Sequence, residues 1–388
     1  MKRIMLLLAL ISVITISCNN GNEVAKEETG SESTDQAVTD NVESASHLMW
    51  YKFRANSKNT AKVDIDMPET QPEVFVNYET NGRVSTSPSV YEGVVYFGSS
   101  DSNMYAVSIE TSKLLWSFIT GGEIRSNPAI VEGVVYFGSS DNNFYALNAT
   151  TGELKWKFET GDIIMSSPNI DNGIVYFGSY DKNFYALNTV TGELVWKFEA
   201  KDAIYTSSAI GDDHVYFGSF DSYLYALKKE TGEEIWKFKA GDAIASSPTL
   251  ANSKIYFGSD DHFMYALDRI DGNMIWKYES AKAINSSPAV DENNCFFGSY
   301  DYKFYNLDAN TGKMKWAFQT DGPIHSSPAL TNNLVYIGSD DFNLYAIDVT
   351  KGQEVWRHTV KDRVHTSPAI CKGMIFFCSF DNHLHGLK

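Results

Sequence analysis

The sequence predicts an all-β fold, a single eight-bladed β-propeller of four-stranded antiparallel blades, its ring closed by an N-terminal strand pairing with the last blade. Three observations carry this. A motif reading YFGS begins at Tyr96, Tyr136, Tyr176, Tyr216 and Tyr256 and continues at Phe296, Tyr336 and Phe376, eight copies on a step of 40. Such a period means a solenoid or a propeller. Side chains grow from small to bulky along each unit. The last unit also lacks a strand that stands alone before the first.

The chain begins with Lys2 and Arg3, then an apolar run from Ile4 to Ile16 that ends at Ser17-Cys18. The run is shorter than the roughly 20 residues that span a bilayer, so residues 1–17 read as an export signal. The order of charge, apolar run, small residue and cysteine resembles a bacterial lipoprotein signal, with Cys18 as the lipidated residue. Thr15 departs from that pattern, standing where a branched aliphatic residue is usual. Residues 18–73 follow as a tether and N-terminal extension. Their first part, rich in Glu, Ser, Thr and Asn, cannot bury enough apolar surface to fold. Leu48, Met49, Trp50, Tyr51 and Phe53 suit either an extra strand or packing on the main domain.

The second unit shows the repeat. Strands are expected at 124–131, 134–138, 144–148 and 154–159. The turn Glu132-Gly133, matched by Asn172-Gly173, is a tight-hairpin signal. Val134 to Phe137 is apolar on both faces and requires cover on both. Leu154, Trp156 and Phe158 alternate with Lys155, Lys157 and Glu159, which suits an outer strand with one wet, charge-guarded face. The first strand carries small residues such as Ser166 and Ser167. Wedges of this taper close into a ring with their small ends inside. Val74–Thr80 matches the fourth strand, with Val76 in the Trp slot. The propeller is therefore expected over 74–388.

Residues present in every copy answer demands shared by all blades. The Asp repeated from Asp101 to Asp381 is expected to bond nearby backbone in a hairpin turn. Two slots of the first strand vary instead. One reads Ser85, Arg125, Met165, Tyr205, Ala245, Asn285, His325, His365; the other includes Arg83, Glu123 and Arg363. Both are expected at the mouth of the central channel, where Arg83, Arg125, Arg363, His325 and His365 would form a positive sector. Glu123 is the one acid in these slots, so no metal site is expected at the paired histidines, nor at His383 and His385. Cys295, Cys371 and Cys378 have no metal-like spacing and read as buried thiols.

The run YALNATTGELKWKFETG resembles the quinoprotein-type, or PQQ-like, propeller repeat, over about four-fifths of the chain. The resemblance implies that Trp116, Trp156, Trp196, Trp236, Trp276, Trp316 and Trp356 dock between neighbouring blades. Enzymes of this superfamily oxidise alcohols or sugars with a quinone and calcium, and their sites carry adjacent cysteines and an acidic cluster. This sequence has neither, so no cofactor and no catalytic residue are expected. The non-catalytic branch implies a monomeric, lipid-anchored scaffold facing the periplasm at the outer membrane, bound to an envelope complex such as the β-barrel assembly machinery. The alternative is a ligand-binding or sensory propeller that uses the channel mouth. A net charge of −17 argues against nucleic acid and anionic lipid as partners.

Overall fold

The computed structural model describes residues 50–388; the expected export signal, the expected lipidation site Cys18 and the part of the expected tether up to residue 49 lie outside them. Every regular element among the described residues is a β-strand, arranged as eight four-stranded antiparallel sheets. Blade 1 comprises Ser89–Tyr91, Val94–Gly98, Asn103–Ser108 and Leu114–Ile119. The pattern repeats to blade 7, which ends at Thr359. Blade 8 pairs Val74–Glu79 with His383–Leu387, beside Met374–Cys378 and Ala369–Cys371. The chain therefore closes its ring as the sequence predicts.

The second and fourth strands of blade 2 form at Val134–Gly138 and Leu154–Glu159, as expected, but the first is only Ala129–Val131. The reason lies in where the backbone N–H groups go. Ile124 N donates to Ser99 O of the preceding blade, Asn127 N donates to Ser167 Oγ of the next, and Pro128 has no N–H. The Asn127 bond belongs to a closed belt. Residues 87, 127, 167, 207, 247, 287, 327 and 367 each donate a backbone N–H to the side-chain oxygen of the equivalent residue one blade on. The last link, Ser367 N to Ser87 Oγ at 2.9 Å, joins blade 8 to blade 1.

The outer ends of neighbouring blades are joined by tryptophan. Trp116, Trp156, Trp196, Trp236, Trp276 and Trp316 each donate Nε1–H at 2.9–3.3 Å to a carbonyl 33 residues on, in the next blade. Each ring lies against a glycine of that blade. At Gly192, φ is +72° and a Cβ would sit 2.7 Å from the Trp156 ring, so only glycine fits. Trp356 is buried, and its Nε1 has no hydrogen-bond partner. The repeated Asp works as a staple: Asp141 accepts Asn143 N in its own turn, Gly121 N from the segment entering the blade, and Tyr145 Oη.

The extension from Trp50 to Val63 has a place that its own sequence does not reveal. It winds round one end of the ring in blade order. Tyr51, Ser57, Lys58, Thr60 and Ala61 offer carbonyls to the N–H groups of Ile130, Ile210, Leu250, Val290 and Leu330. Those donors lie on the innermost strands and would otherwise be orphaned. Trp50 exchanges a pair of bonds with Val90. At blade 3 the link runs through a side chain: Asn169 Oδ1 takes both Lys52 Nζ and Ile170 N. Arg54, 1% exposed, donates to Asn59 O, Ser287 O and Pro288 O. Phe53 lines the channel at that end, in a narrow part of about 110 Å³. Away from the extension the channel widens into a cup of about 690 Å³.

Candidate functional site: the channel cup

The cup is built by a short repeated phrase. A buried Ile or Val (Ile124, Ile164 and their equivalents) anchors the entry of each blade, and from Ile124 to Val364 its N–H bonds the preceding blade. Alternation along extended backbone then turns the next residue into the channel. The whole variable slot, from Ser85 and Arg125 to His325 and His365, lines a cavity of about 690 Å³. Arg83 and Glu123 line it too. Tyr205 stands among the channel walls yet keeps 41% of its surface open to the cup.

A third slot completes the wall. The residue before each repeated Asp reads Ser100, Ser140, Tyr180, Phe220, Asp260, Tyr300, Asp340 and Phe380. Its N–H donates to the carbonyl of the 83-type residue in the same blade, for example Asp340 N to Pro323 O and Phe380 N to Arg363 O. That bond brings the tip of the second hairpin over the channel. Sequence reasoning missed this slot. Its signal was present, because it varies as widely as the other two.

These additions correct the expected positive sector. Arg125 Nη2 pairs with Glu123 at 2.8 Å, Arg363 faces Asp362 at 3.7 Å, and Asp340 sits between His325 and His365. Burial, with His365 and Arg363, outweighs Asp340 and lowers the His325 pKa to about 4, so this imidazole is neutral. Arg83 and Arg363 both stack on Phe380. The wall is thus a run of aromatic rings, Tyr300–His325–His365–Phe380, with centroids 4.0–4.4 Å apart, flanked by Arg83 and by the paired Arg125 and Glu123. Asn285 belongs to it, donating to Tyr300 Oη. Asp260 has a buried Oδ1 without a hydrogen-bond partner, and burial beside Asp242 and Asp261 raises its pKa.

His383 and His385 lie away from the cup, on the outer half of blade 8, where both contact Asp381. Cys295 and Cys378 are buried free thiols, and Cys371 is buried; none lines the cup. The cup is lined by no cysteine and by one carboxylate, Glu123, which pairs with Arg125; Asp260 and Asp340 stand behind the wall in separate blades, Asp340 between two imidazoles. Calcium takes six to eight oxygens, so the described residues do not fit a quinone–calcium pair.

Repeat, ring closure and inter-blade tryptophans define an eight-bladed propeller of the PQQ-like class. A family model described as outer membrane protein assembly factor BamB matches residues 120–220 and 220–384, and the chain belongs to that family. Among solved structures, BamB from Moraxella catarrhalis is similar with a TM-score of 0.71 at 15% identity, over 82% of this chain and 100% of that one. A europium-containing methanol dehydrogenase gives a TM-score of 0.76 at 14% identity, over 87% and 91%. A quinohemoprotein alcohol dehydrogenase from Comamonas testosteroni gives 0.77 at 14%, over 87% and 80%. At these identities the likeness shows the fold alone. No curated protein sequence matches the chain.

Proposed function

We propose that this chain is a non-catalytic, lipid-anchored envelope propeller that docks a protein partner in outer-membrane protein assembly. Family membership supports the envelope setting. The observation that carries the docking role is the outer strand of blade 1. Its wet face reads Leu115, Ser117 and Ile119, where blade 2 has Lys155, Lys157 and Glu159. Blade 1 is the only described blade with no charge in these three slots. Ile119 is 72% exposed, and Leu114 and Leu115 are exposed beside it. An outer strand without charges invites an added strand or an apolar surface.

The test is capture from detergent extracts of cells carrying the tagged full-length chain. The wild type should retain β-barrel assembly components; L115K/I119E, which restores the pattern of blade 2, should lose them. Capture unchanged by the double substitution would refute this surface. Cys18→Ala should move the protein to the soluble envelope fraction. A second reading, ligand binding, is favoured by the cup of about 690 Å³, a size typical of small-molecule sites. It expects thermal stabilisation by a small polar ligand that is lost in R125A.

A further inference from the structure

The slot before the repeated aspartate places a carboxylate between two imidazoles. His365 Nε2 is 2.7 Å from Asp340 Oδ1, and His325 Nε2 is 3.6 Å from Oδ2. The shorter contact is within ion-pair distance but off the line of a hydrogen bond, and both of its atoms are buried without a hydrogen-bond partner. One ligand-type atom from each of the three residues lies within 4.8 Å of the others. Around tetrahedral zinc, with bonds of about 2.0 Å, ligand atoms sit about 3.3 Å apart. The two measured separations straddle that figure. The two imidazole rings lie stacked beside the carboxylate, their centroids 4.0 Å apart.

We propose that His325, Asp340 and His365 form a binding site for a divalent transition-metal ion of the zinc class, its remaining coordination position open to the cup. Two imidazoles and a carboxylate suit borderline metals, whereas calcium and magnesium take oxygen ligands. The supporting contacts are in place. Asn285 Nδ2 donates to Tyr300 Oη, and the same oxygen lies 2.9 Å from His325 Nδ1. With hydrogen on Nδ1, His325 donates to Tyr300 and presents the Nε2 lone pair to the metal, the arrangement that orients ligating histidines. Arg363, the nearby cation, faces Asp362 and lies over Phe380. The histidines of blade 8 are arranged differently. Asp381 Oδ1 there already accepts His383 N and bonds His385 Nε2. The proposal is independent of the docking role and of its test.

The test uses the full-length chain stripped by a chelator and titrated with Zn²⁺ by calorimetry and with Co²⁺ by visible absorption. The expected result is one Zn²⁺ per chain and a Co²⁺ band typical of mixed nitrogen and oxygen ligands. D340N, H325Q and H365Q should each weaken binding about tenfold or more and abolish the band, and Y300F should weaken it about tenfold. H383A should bind as the wild type does. Thermal melts of the metal-free variants check folding, and D340N, the nearest in shape, carries the test if a glutamine variant fails to fold. The proposal is overturned by absence of one-to-one binding, by binding that survives D340N and H365Q, or by binding lost in H383A instead.

Discussion

Arg54→Ala tests whether the extension is a docked plug or an integral part of the ring. Three carbonyls, Asn59 O, Ser287 O and Pro288 O, accept closely from the guanidinium, and a fourth, Pro328 O, lies at the long limit of 3.5 Å. Hydrogen bonds to a charged group contribute about 1.5–3 kcal/mol each, so the three give about 4.5–9 kcal/mol. Burial opposes them. It lowers the Arg54 pKa to about 9, and a depression of that size corresponds to about 5 kcal/mol. The centre of the difference is about 2 kcal/mol, or about thirtyfold in the undocking equilibrium. Native-state hydrogen exchange reads this directly, because the amides of Ile130, Ile210, Leu250 and Leu330 bond only the extension. In R54A these should exchange about thirtyfold faster, while Phe137 and Phe177, inside blade ladders, should keep their wild-type rates. Unchanged rates in the first set would refute the account of Arg54. Equal acceleration in both sets would refute independent docking.

Three further outcomes follow from the packing. Gly192→Ala would place a methyl 2.7 Å from the Trp156 ring at a positive φ, and should cost about 1–3 kcal/mol in denaturant unfolding; an unshifted midpoint would contradict this. Ser87→Ala removes the acceptor of Ser367 N at the ring closure and should cost about 1–3 kcal/mol, with a result near zero showing that water replaces the hydroxyl. Burial alone would raise the Asp381 pKa, but the hydrogen bond and charge of His385, with Lys361 N and Ser379, hold it at about 2. A carboxyl depressed below its unfolded value of about 4 stabilises the fold above that pH and loses the effect as pH falls towards 2. D381N should therefore flatten the acid limb of the stability curve, and an unaltered limb would count against it.

Most of the fold was legible because the same packing demand is written into the chain eight times. The strands Val134–Gly138 and Leu154–Glu159 fall where their patterns end, and Val74–Glu79 pairs where its similarity to the Trp strand puts it. The first strand was overextended for a physical reason. Ile124–Val131 looks like one extended segment, but its first half spends its hydrogen bonds on neighbouring blades. The extension was illegible because it occurs once and bonds the ring mainly through backbone carbonyls, which any residue supplies. Only Lys52, Arg54 and Asn59 betray it, as polar side chains now buried against the backbone of distant blades.

The cup was legible in part by the same logic. Positions that vary while their neighbours repeat include Arg125, Tyr205, Asn285, His325 and His365, and all five line the cavity. Asp340 was missed because it adjoins the repeated Asp341 and reads as part of the same hairpin turn. The bond from Asp340 N to Pro323 O undoes that reading, since it lays the hairpin tip beside the segment bearing His325. Such a bond joins residues 17 positions apart in one blade, while His365 arrives from the next blade by the step of 40. The carboxylate and the two imidazoles thus share no local pattern. They meet because the ring brings one blade's hairpin tip against the next blade's entry, and the same step in the other blades delivers different chemistry, Phe220 with Ala245 or Phe380 with Ser85. A propeller can therefore acquire a ligand set at one seam without disturbing the seven others.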